Sequence, residues 1–200
     1  MPQIPSTSDP VLRRGRVPKI WQREITSVLI SETRLRKRVH ELAEEITRDH
    51  ADSRLVVVSL LSGSAVFMAD LIRRIPLPIE LDFMAASSYG MGMVPREISF
   101  TKDLKLSIKG RNVLLLDDII DSGHTLWETR QQLRALHPRR ISTCVLLDKP
   151  ARRERRIQAD YSGFTIPDLF VVGYGMDHAE RYRNLPFIGL LHPSQFLEAP

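Results

Sequence analysis

Residues Val113–Leu126 read VLLLDDIIDSGHTL, and the interpretation of the whole chain begins with this segment. Its apolar start, Val113–Leu116, predicts a short strand that is buried on both faces. From Asp121 to Thr125 small and polar residues open a helix, which we expect to run to about Leu136. Small residues let successive backbone N–H groups converge on a phosphate, and a helix N-terminus adds partial positive charge. The segment therefore predicts an anion site between a strand and a helix.

Two adjacent carboxylates, Asp117 and Asp118, follow the apolar run. Carboxylates beside a phosphate site can bind sugar hydroxyls, or a divalent cation that the phosphates share. A strand that ends in Asp and a helix capped by Asp or Ser are also common in α/β sheets that bind nothing there. Each residue alone fits that structural role, and only the whole string points to a ligand.

The whole string resembles the phosphoribosyl-pyrophosphate (PRPP) loop of the type I phosphoribosyltransferases. That loop consists of an apolar run, an acidic pair, two apolar residues, Asp, Ser or Thr, Gly, any residue and Thr. The resemblance implies an α/β fold, with a mostly parallel twisted sheet of five strands, flanking helices and a small C-terminal hood.

Composition sets broad limits on the class of protein. The chain has 200 residues, of which 42% are hydrophobic and 26% charged, as is usual for one soluble domain. A net charge of +5 suits a polyanionic ligand, and nucleic acid would suit it too. Cys144 is the only cysteine, so no disulfide forms within the chain. A cytoplasmic location is expected, since the N-terminus also lacks the apolar core of a signal peptide.

Further along the chain, charge and periodicity indicate the organisation of the elements. Residues 1–20 hold four prolines and several basic residues and predict a mobile arm, whereas 21–200 form a single domain. Ser31 can cap a helix whose apolar stripe is Leu35, Val39, Leu42 and Ile46. Other expected elements are strands at 55–61, 79–86, 141–147, 170–173 and 187–191, and a helix at 65–75.

Two connections in this pattern stand out. The turn Ser62-Gly63-Ser64 has free N–H groups that could hold a second anion, or it simply connects a strand to a helix. Residues 87–103 are longer than a usual connection and predict a flexible lid, the alternative being a hairpin without a role. Within them, Ser88-Tyr89 resembles the Ser-Tyr pair in the flexible loop of the purine phosphoribosyltransferases. The basic cluster Arg152–Arg156 is interpreted as a solvated loop.

The C-terminal segment resembles one branch of the superfamily. From Ala159 to Pro186 the sequence is similar to the hood of the hypoxanthine-guanine phosphoribosyltransferases, here about 150–200, including the run that ends in Phe-Val-Val-Gly-Tyr and a later Asp. With the PRPP loop, the resemblance extends from about Ile30 to Leu191. Lys149, just after a predicted strand, is either a solvated strand end or a side chain aimed at the ligand crevice.

This resemblance implies a role for each matching residue. Asp121 would act as general base or acid near N7 of the purine. Residues implied to bind PRPP and its ribose and phosphate groups are Asp117, Asp118, Ser122, Gly123, His124, Thr125, Ser62, Gly63 and Arg183. His124 takes a variable loop position, and its side chain is given no special role. The purine would contact Lys149, Phe170, Val171 and Asp177, and the lid would use Ser88 and Tyr89. Mg²⁺ would be held by Asp117, Asp118 and Asp177.

The sequence departs from the family pattern at two of these positions. Where the family has Leu-Lys-Gly-Gly, this chain has Leu61-Ser62-Gly63-Ser64, so the lysine expected to bind pyrophosphate is absent. Asp117 replaces the more frequent Glu, which shortens the reach to the ribose. The resemblance also implies a cis peptide bond between Leu61 and Ser62.

Three functions fit these sequence features to different degrees. The first is a purine salvage enzyme that transfers the 5-phosphoribosyl group from PRPP to N9 of hypoxanthine or guanine. It would be a cytoplasmic, Mg²⁺-dependent homo-oligomer (a dimer or tetramer) that binds neither membrane nor nucleic acid. The second is an RNA-binding regulator with the PRPP fold, similar to the pyrimidine-operon attenuators. A receiver domain is disfavoured because its acidic pair should follow the first strand.

Overall fold

A computed structural model describes residues 16–89 and 97–196, so most of the predicted arm lies outside the described residues. The regular elements in chain order are β1 (Ile25–Ile30), α1 (Glu32–Asp49), β2 (Leu55–Leu61), α2 (Ala65–Ile72), β3 (Ile79–Tyr89), β4 (Glu97–Lys102), β5 (Asn112–Ile120), α3 (His124–Ala135), β6 (Arg140–Asp148), β7 (Tyr161–Thr165), β8 (Val171–Val172) and β9 (Ile188–Leu191). Contacts divide the chain into two units: Val39–Asp168, and the residues up to Arg38 together with those from Leu169 onward. Over the described ranges, no helix has the length and hydrophobicity of a membrane span.

The larger unit contains a six-stranded sheet in the order β4-β3-β2-β5-β6-β7. Strands β3, β2, β5, β6 and β7 are parallel, and β4 is antiparallel to β3. This confirms the predicted mostly parallel sheet and adds an antiparallel edge strand. Residues Leu55–Leu60 of β2 are buried throughout, as an inner strand covered on both faces requires.

Strand β5 is longer than the predicted strand Val113–Leu116. It extends to Ile120 and therefore includes both Asp117 and Asp118. Its pairing with β2 stops at Leu116, whereas its pairing with β6 continues to Ile120. The prediction that the carboxylates follow the strand was wrong, because an acidic residue can remain in a strand that is still hydrogen-bonded on one side.

Helix α1 agrees with the sequence pattern. The Arg34 N–H donates to Ser31 Oγ at 3.4 Å, which confirms Ser31 as the cap. The predicted apolar stripe is fully buried, and consists of Leu35, Val39, Leu42 and Ile46. Its amphipathic spacing therefore places one face in the core and leaves charged residues on the other.

The predicted lid includes the end of β3 and all of β4, which pair as an antiparallel hairpin. Tyr89 pairs with Glu97, and residues 90–96 lie outside the described ranges. Buried Asp82 anchors the hairpin where it leaves the sheet. Its Oδ2 accepts from the Lys105 and Leu106 N–H groups at 2.6 and 2.8 Å, and Lys102 contacts Oδ1. Burial raises the pKa of Asp82, but these hydrogen bonds and the lysine outweigh it and hold the pKa below its usual value.

The second unit contains a three-stranded sheet in the order β1-β9-β8, with antiparallel pairs. Its core is formed by apolar side chains from both ends of the chain, among them Val28, Val172, Leu185, Phe187 and Leu191. The strands predicted at 170–173 and 187–191 are confirmed in shortened form as β8 and β9. The hood boundary and the lid remain predictions.

Candidate active site

The candidate site of the larger unit lies at the carboxyl ends of β2, β5 and β6. Because β5 separates from β2 after Leu116 while it stays paired with β6, a crevice opens between two neighbouring parallel strands. Such a crevice is where open α/β sheets bind their ligands. Asp117 and Asp118 lie on β5 at this opening.

Asp117 and Asp118 are adjacent carboxyl groups whose negative charges would repel each other. Asp117 is buried, and burial together with the adjacent Asp118 raises its pKa well above the usual range. Two backbone N–H groups offset part of the cost of ionising these carboxyl groups. Asp118 N–H donates to Asp117 Oδ1 at 3.0 Å, and Ile119 N–H donates to Asp118 Oδ1 at 2.8 Å. A bound cation would relieve the remaining repulsion.

The turn after β2 lies directly against this acidic pair. A Cβ atom on Gly63 would come within 1.9 Å of Asp118 Oδ2, so any larger residue would displace the Asp118 carboxylate. The predicted cis peptide bond between Leu61 and Ser62 is present. The structure places Gly63 against Asp118, so the turn lies beside the acidic pair.

The predicted phosphate loop leads from β5 into α3. Helix α3 begins at His124, and its cap residue Gly123 has a φ of 87°, in the left-handed region that favours glycine. Ser122 Oγ is 3.5 Å from the His124 N–H, and Thr125 lies in the first turn of the helix. The loop therefore presents the small residues and helix N-terminus that a phosphate requires.

Residues 150–157, here called the strap, hold this loop from the other side. The Arg153 guanidinium donates to the carbonyls of Asp121, Ile120 and Ile157 at 3.1, 3.3 and 2.6 Å, and it also binds Asp148. The Glu154 and Arg155 N–H groups both donate to the Ser122 carbonyl, at 2.9 and 3.0 Å. The interpretation of Arg152–Arg156 as a solvated loop was therefore wrong for Arg153, whose charge satisfies buried carbonyl groups.

His124 is held by two residues of the strap. Arg155 Nε is 3.2 Å from His124 Nδ1, and His124 Nε2 is 2.8 Å from Glu154 Oε2. Because arginine can only donate, Nδ1 accepts, and the proton of a neutral imidazole lies on Nε2 and is donated to Glu154. The side chain of this variable position therefore joins the loop to the strap.

Lys149 and Asp121 approach each other beside the loop. Lys149 is only 5% exposed, which excludes a solvated strand end. Its Nζ is 3.5 Å from Asp121 Oδ2 and 3.7 Å from Asp168 Oδ1. Asp121 Oδ1 is hidden from solvent, and it accepts no hydrogen bond from the described residues. Arg152 Nε lies 3.7 Å from it. A buried donor and an unused acceptor therefore lie side by side.

The remaining predicted purine and pyrophosphate residues belong to the smaller unit. Phe170 is 47% exposed, and its ring packs edge-on against His178 with 5.4 Å between centroids. Val171 is buried in β8. Arg183 Nη1 is 3.0 Å from Asp177 Oδ1, so these two predicted site residues form an ion pair. Ser88 and Tyr89 end β3, and their side chains lie outside the described part of the structure.

The donor set at the acidic pair fits magnesium. Among the described residues, no group of three or more metal-ligating His, Cys, Asp or Glu side chains comes together. Magnesium is usually held by one or two carboxylates, with substrate phosphates and water completing its shell. Asp117 and Asp118 supply that number of carboxylates next to a phosphate loop.

Comparison with known proteins identifies the family. The model of the phosphoribosyl transferase domain matches residues 30–179. The hypoxanthine phosphoribosyltransferase of Salmonella typhimurium is 49% identical over 165 residues, which cover 81% of this chain and 93% of that protein. This chain belongs to the hypoxanthine phosphoribosyltransferase family.

Two solved structures share the fold of this family member. A hypoxanthine phosphoribosyltransferase from Staphylococcus aureus has a TM-score of 0.86 and 40% identity, and covers 90% of this chain and 99% of its own. A hypoxanthine-guanine phosphoribosyltransferase from Bacillus anthracis has a TM-score of 0.80 and 47% identity, and covers 84% and 99%. These relatives are enzymes by name and give no support to the RNA-binding alternative.

Within this phosphoribosyltransferase, the strap is the part that sequence reasoning missed. Four arginines in five residues indicate solvent exposure when only charge is considered. The sequence signal for a structural role was the position of Arg153, four residues after Lys149. In the fold, Arg153 lies beside a loop whose carbonyl groups need donors. Gly123 is part of the same arrangement, because a Cβ there would lie 2.9 Å from Ile157 Cγ2.

Proposed function

We propose that this protein transfers the 5-phosphoribosyl group of PRPP to N9 of hypoxanthine or guanine and releases pyrophosphate. The observation that carries the proposal is the pair formed by buried Lys149 and Asp121 beside the phosphate loop. A buried ammonium next to a carboxylate with one unused oxygen complements a base that offers a carbonyl group and an N–H group. Membership in the family supports the same reaction.

In this proposal, Lys149 and Asp121 recognise two neighbouring atoms on one edge of the purine, O6 and N7. Lys149 donates to the 6-oxo group, and Asp121 accepts the proton at N7 as N9 forms its bond to C1 of the ribose. Asp121 needs only to be ionised at neutral pH for this role. Lys149, at 3.5 Å, stabilises its charge.

PRPP is proposed to bind across the crevice at β5. The N–H groups of Ser122–Thr125 would hold the 5′-phosphate, and Asp117 and Asp118 would face the ribose hydroxyls. Mg²⁺, when bound by these carboxylates and by pyrophosphate, would neutralise the charge that develops on the leaving group. Ser62 and Gly63, which adjoin Asp118, would face the pyrophosphate.

The smaller unit is proposed to supply the rest of the recognition. Phe170 would stack on the base, and the backbone of Val171 would bond its edge. Asp177 would hold a second Mg²⁺, and Arg183 would face the pyrophosphate. The lid, with Ser88 and Tyr89, would exclude the water that otherwise hydrolyses PRPP.

The proposal also covers the location and the assembly state of the protein. We expect a cytoplasmic protein, with which the buried free thiol of Cys144 agrees. A dimer or tetramer is expected in solution, and light scattering would measure it.

The decisive experiment is an assay of the purified chain with PRPP, Mg²⁺ and each of hypoxanthine, guanine, xanthine and adenine. Formation of nucleotide and pyrophosphate in equal amounts with a 6-oxopurine is the expected result. Pyrophosphate release without nucleotide would indicate hydrolysis, and no turnover with any of the purines would refute the proposal.

A further inference from the structure

A cluster of arginines lies at the edge of the sheet opposite the candidate active site. Arg130 and Arg134 extend from the second half of α3, and Arg139 and Arg140 lie where β6 begins. Together with Pro138 and Ile141 they line a cavity of about 180 Å³. Along α3, Arg130 and Arg134 lie six and ten residues after His124, about 9 and 15 Å from the phosphate loop at 1.5 Å per residue.

These four guanidinium groups lie together without an ion-pair partner in the described part of the chain. Within residues 16–89 and 97–196, none of the four forms an ion pair or a side-chain hydrogen bond, and Arg130 Nε is hidden from solvent without a partner. The two nearby carboxylates form no ion pair with these arginines: Asp160 accepts from Thr143 N–H and Oγ1 at 2.7 and 2.8 Å, and Asp49 accepts from the Tyr161 hydroxyl at 2.9 Å. A buried, unpaired guanidinium nitrogen costs stability unless a ligand satisfies it.

A helix C-terminus alone does not explain the cluster. Its partial negative charge favours Arg134 in the last turn of α3, but Arg139 and Arg140 follow the helix, and Arg140 is the first residue of β6. The next arginine along this edge, Arg111, is neutralised by Glu80 at 2.5 Å. Four arginines without an ion pair are therefore gathered around one cavity.

We propose that this cavity, here called the arginine pocket, binds an oligophosphate group. Four positive charges around a small volume match a ligand with several negative charges on adjacent atoms, and guanidinium forks bind phosphate oxygens in pairs. An acidic peptide spreads its charges over separate residues. A nucleic acid places successive phosphates along a chain, which calls for a basic stripe. The site is separate from the PRPP loop, and it does not depend on the proposed reaction.

The test is a titration of the full-length protein with inorganic tripolyphosphate, followed by nuclear magnetic resonance of backbone amides. Amides of Arg134–Ile141 report the arginine pocket, and those of Ser122–Thr125 report the phosphate loop. Saturable shifts at Arg134–Ile141 are expected, with an affinity at least tenfold weaker in Arg134→Ala/Arg139→Ala. The milder Arg134→Gln/Arg139→Gln variant should behave in the same way, and both substituted side chains are exposed.

Arg36→Ala/Arg73→Ala serves as the matched control, because it removes the same number of charges from exposed positions in α1 and directly after α2. It should bind tripolyphosphate as the unaltered protein does, and shifts at Ser122–Thr125 should be equal in every variant. The proposal is refuted if Arg134–Ile141 do not shift, or if the pocket variants and the control lose affinity equally. It is also refuted if a single-stranded RNA produces the same shifts at tenfold lower concentration, which would identify a polynucleotide surface.

Discussion

Asp121 is the single residue on which the proposed proton transfer depends. Asp121→Asn removes the negative charge and the basicity of the carboxylate but keeps the shape of the side chain, and should lower kcat by about two to four orders of magnitude. PRPP binding should persist, because the phosphate loop binds mainly through backbone groups. Asp168→Asn is the matched comparison, since Asp168 also lies near Lys149 Nζ. Equal losses in the two variants would assign Asp121 only an electrostatic role.

Lys149 should determine the choice of base. An ammonium has three donors and no acceptor, so it complements a 6-oxo group and opposes the amino group of adenine. Rejection of adenine by about 10⁴-fold is expected, because a buried polar group would be left unpaired. Lys149→Ala should raise the KM for hypoxanthine much more than the KM for PRPP, as measured by steady-state kinetics. Use of adenine within tenfold of the best oxopurine would contradict this assignment.

The raised pKa of Asp117 predicts how the stability of the ligand-free protein changes with pH. Because folding raises this pKa above its ordinary value of about 3.9, the folded state binds more protons, and this contribution to stability is lost as the pH rises above that value. The Asp117→Asn variant has no titrating group at this position, and it should be more stable than the unaltered protein at pH 7–8. The difference in free energy of unfolding should shrink toward pH 4. Urea denaturation across this range measures it, and a constant difference would show that the Asp117 carboxyl does not titrate in this way.

The strap is expected to hold the phosphate loop in its observed conformation. Arg153→Ala leaves the carbonyls of Ile120, Asp121 and Ile157 without their donor, which should cost about 1–3 kcal/mol of stability. The KM for PRPP should rise more than the KM for hypoxanthine, because the loop rather than the purine site loses its support. Arg153→Lys should recover part of the loss.

Arg156→Ala is the control for the strap, since it removes an exposed arginine from the same segment. Kinetic constants and stability close to those of the unaltered protein are expected for it. If Arg153→Ala and Arg156→Ala behave alike, the strap acts through its net charge and the individual hydrogen bonds of Arg153 are unimportant.

The elements also show which features of the fold a sequence can reveal. Helix α1 was predictable because its cap and apolar stripe are local and periodic. The end of β5 was not, because Asp117–Ile120 remain in the strand only through pairing with β6, which lies more than twenty residues later in the chain. Strand β7 was missed for a similar reason: YSGFT has little periodicity of its own and is a strand through its pairing with β6.

For the molecule as a whole, candidate site residues could be proposed from the sequence, but their mutual geometry could not. The motif gave Asp118 and the turn gave Gly63, and only the fold shows that a side chain at one position would collide with the other. Burial of Lys149 likewise follows from tertiary packing, since a lysine before a proline is compatible with either environment. The strap and the arginine pocket use residues of one chemical type, and composition alone cannot distinguish paired from unpaired arginines.

The whole molecule should respond to its substrate through the acidic pair. PRPP at 100 times its Kd adds about 2.7 kcal/mol to the stability of the folded state. For a chain of 200 residues this corresponds to a rise in Tm of about 5–10 °C. The rise should require Mg²⁺, because without the cation the phosphates of PRPP would face the carboxylates of Asp117 and Asp118.

Thermal unfolding with PRPP, in Mg²⁺ and then in excess chelator, measures this requirement. Most of the rise in Tm should disappear in chelator, and Asp118→Asn should reduce it even with Mg²⁺ present. Asp52→Asn removes an exposed carboxylate and should leave the rise unchanged. An equal rise with and without Mg²⁺ would mean that PRPP is held by the phosphate loop and Arg183 alone, and the acidic pair would then be assigned to the ribose hydroxyls.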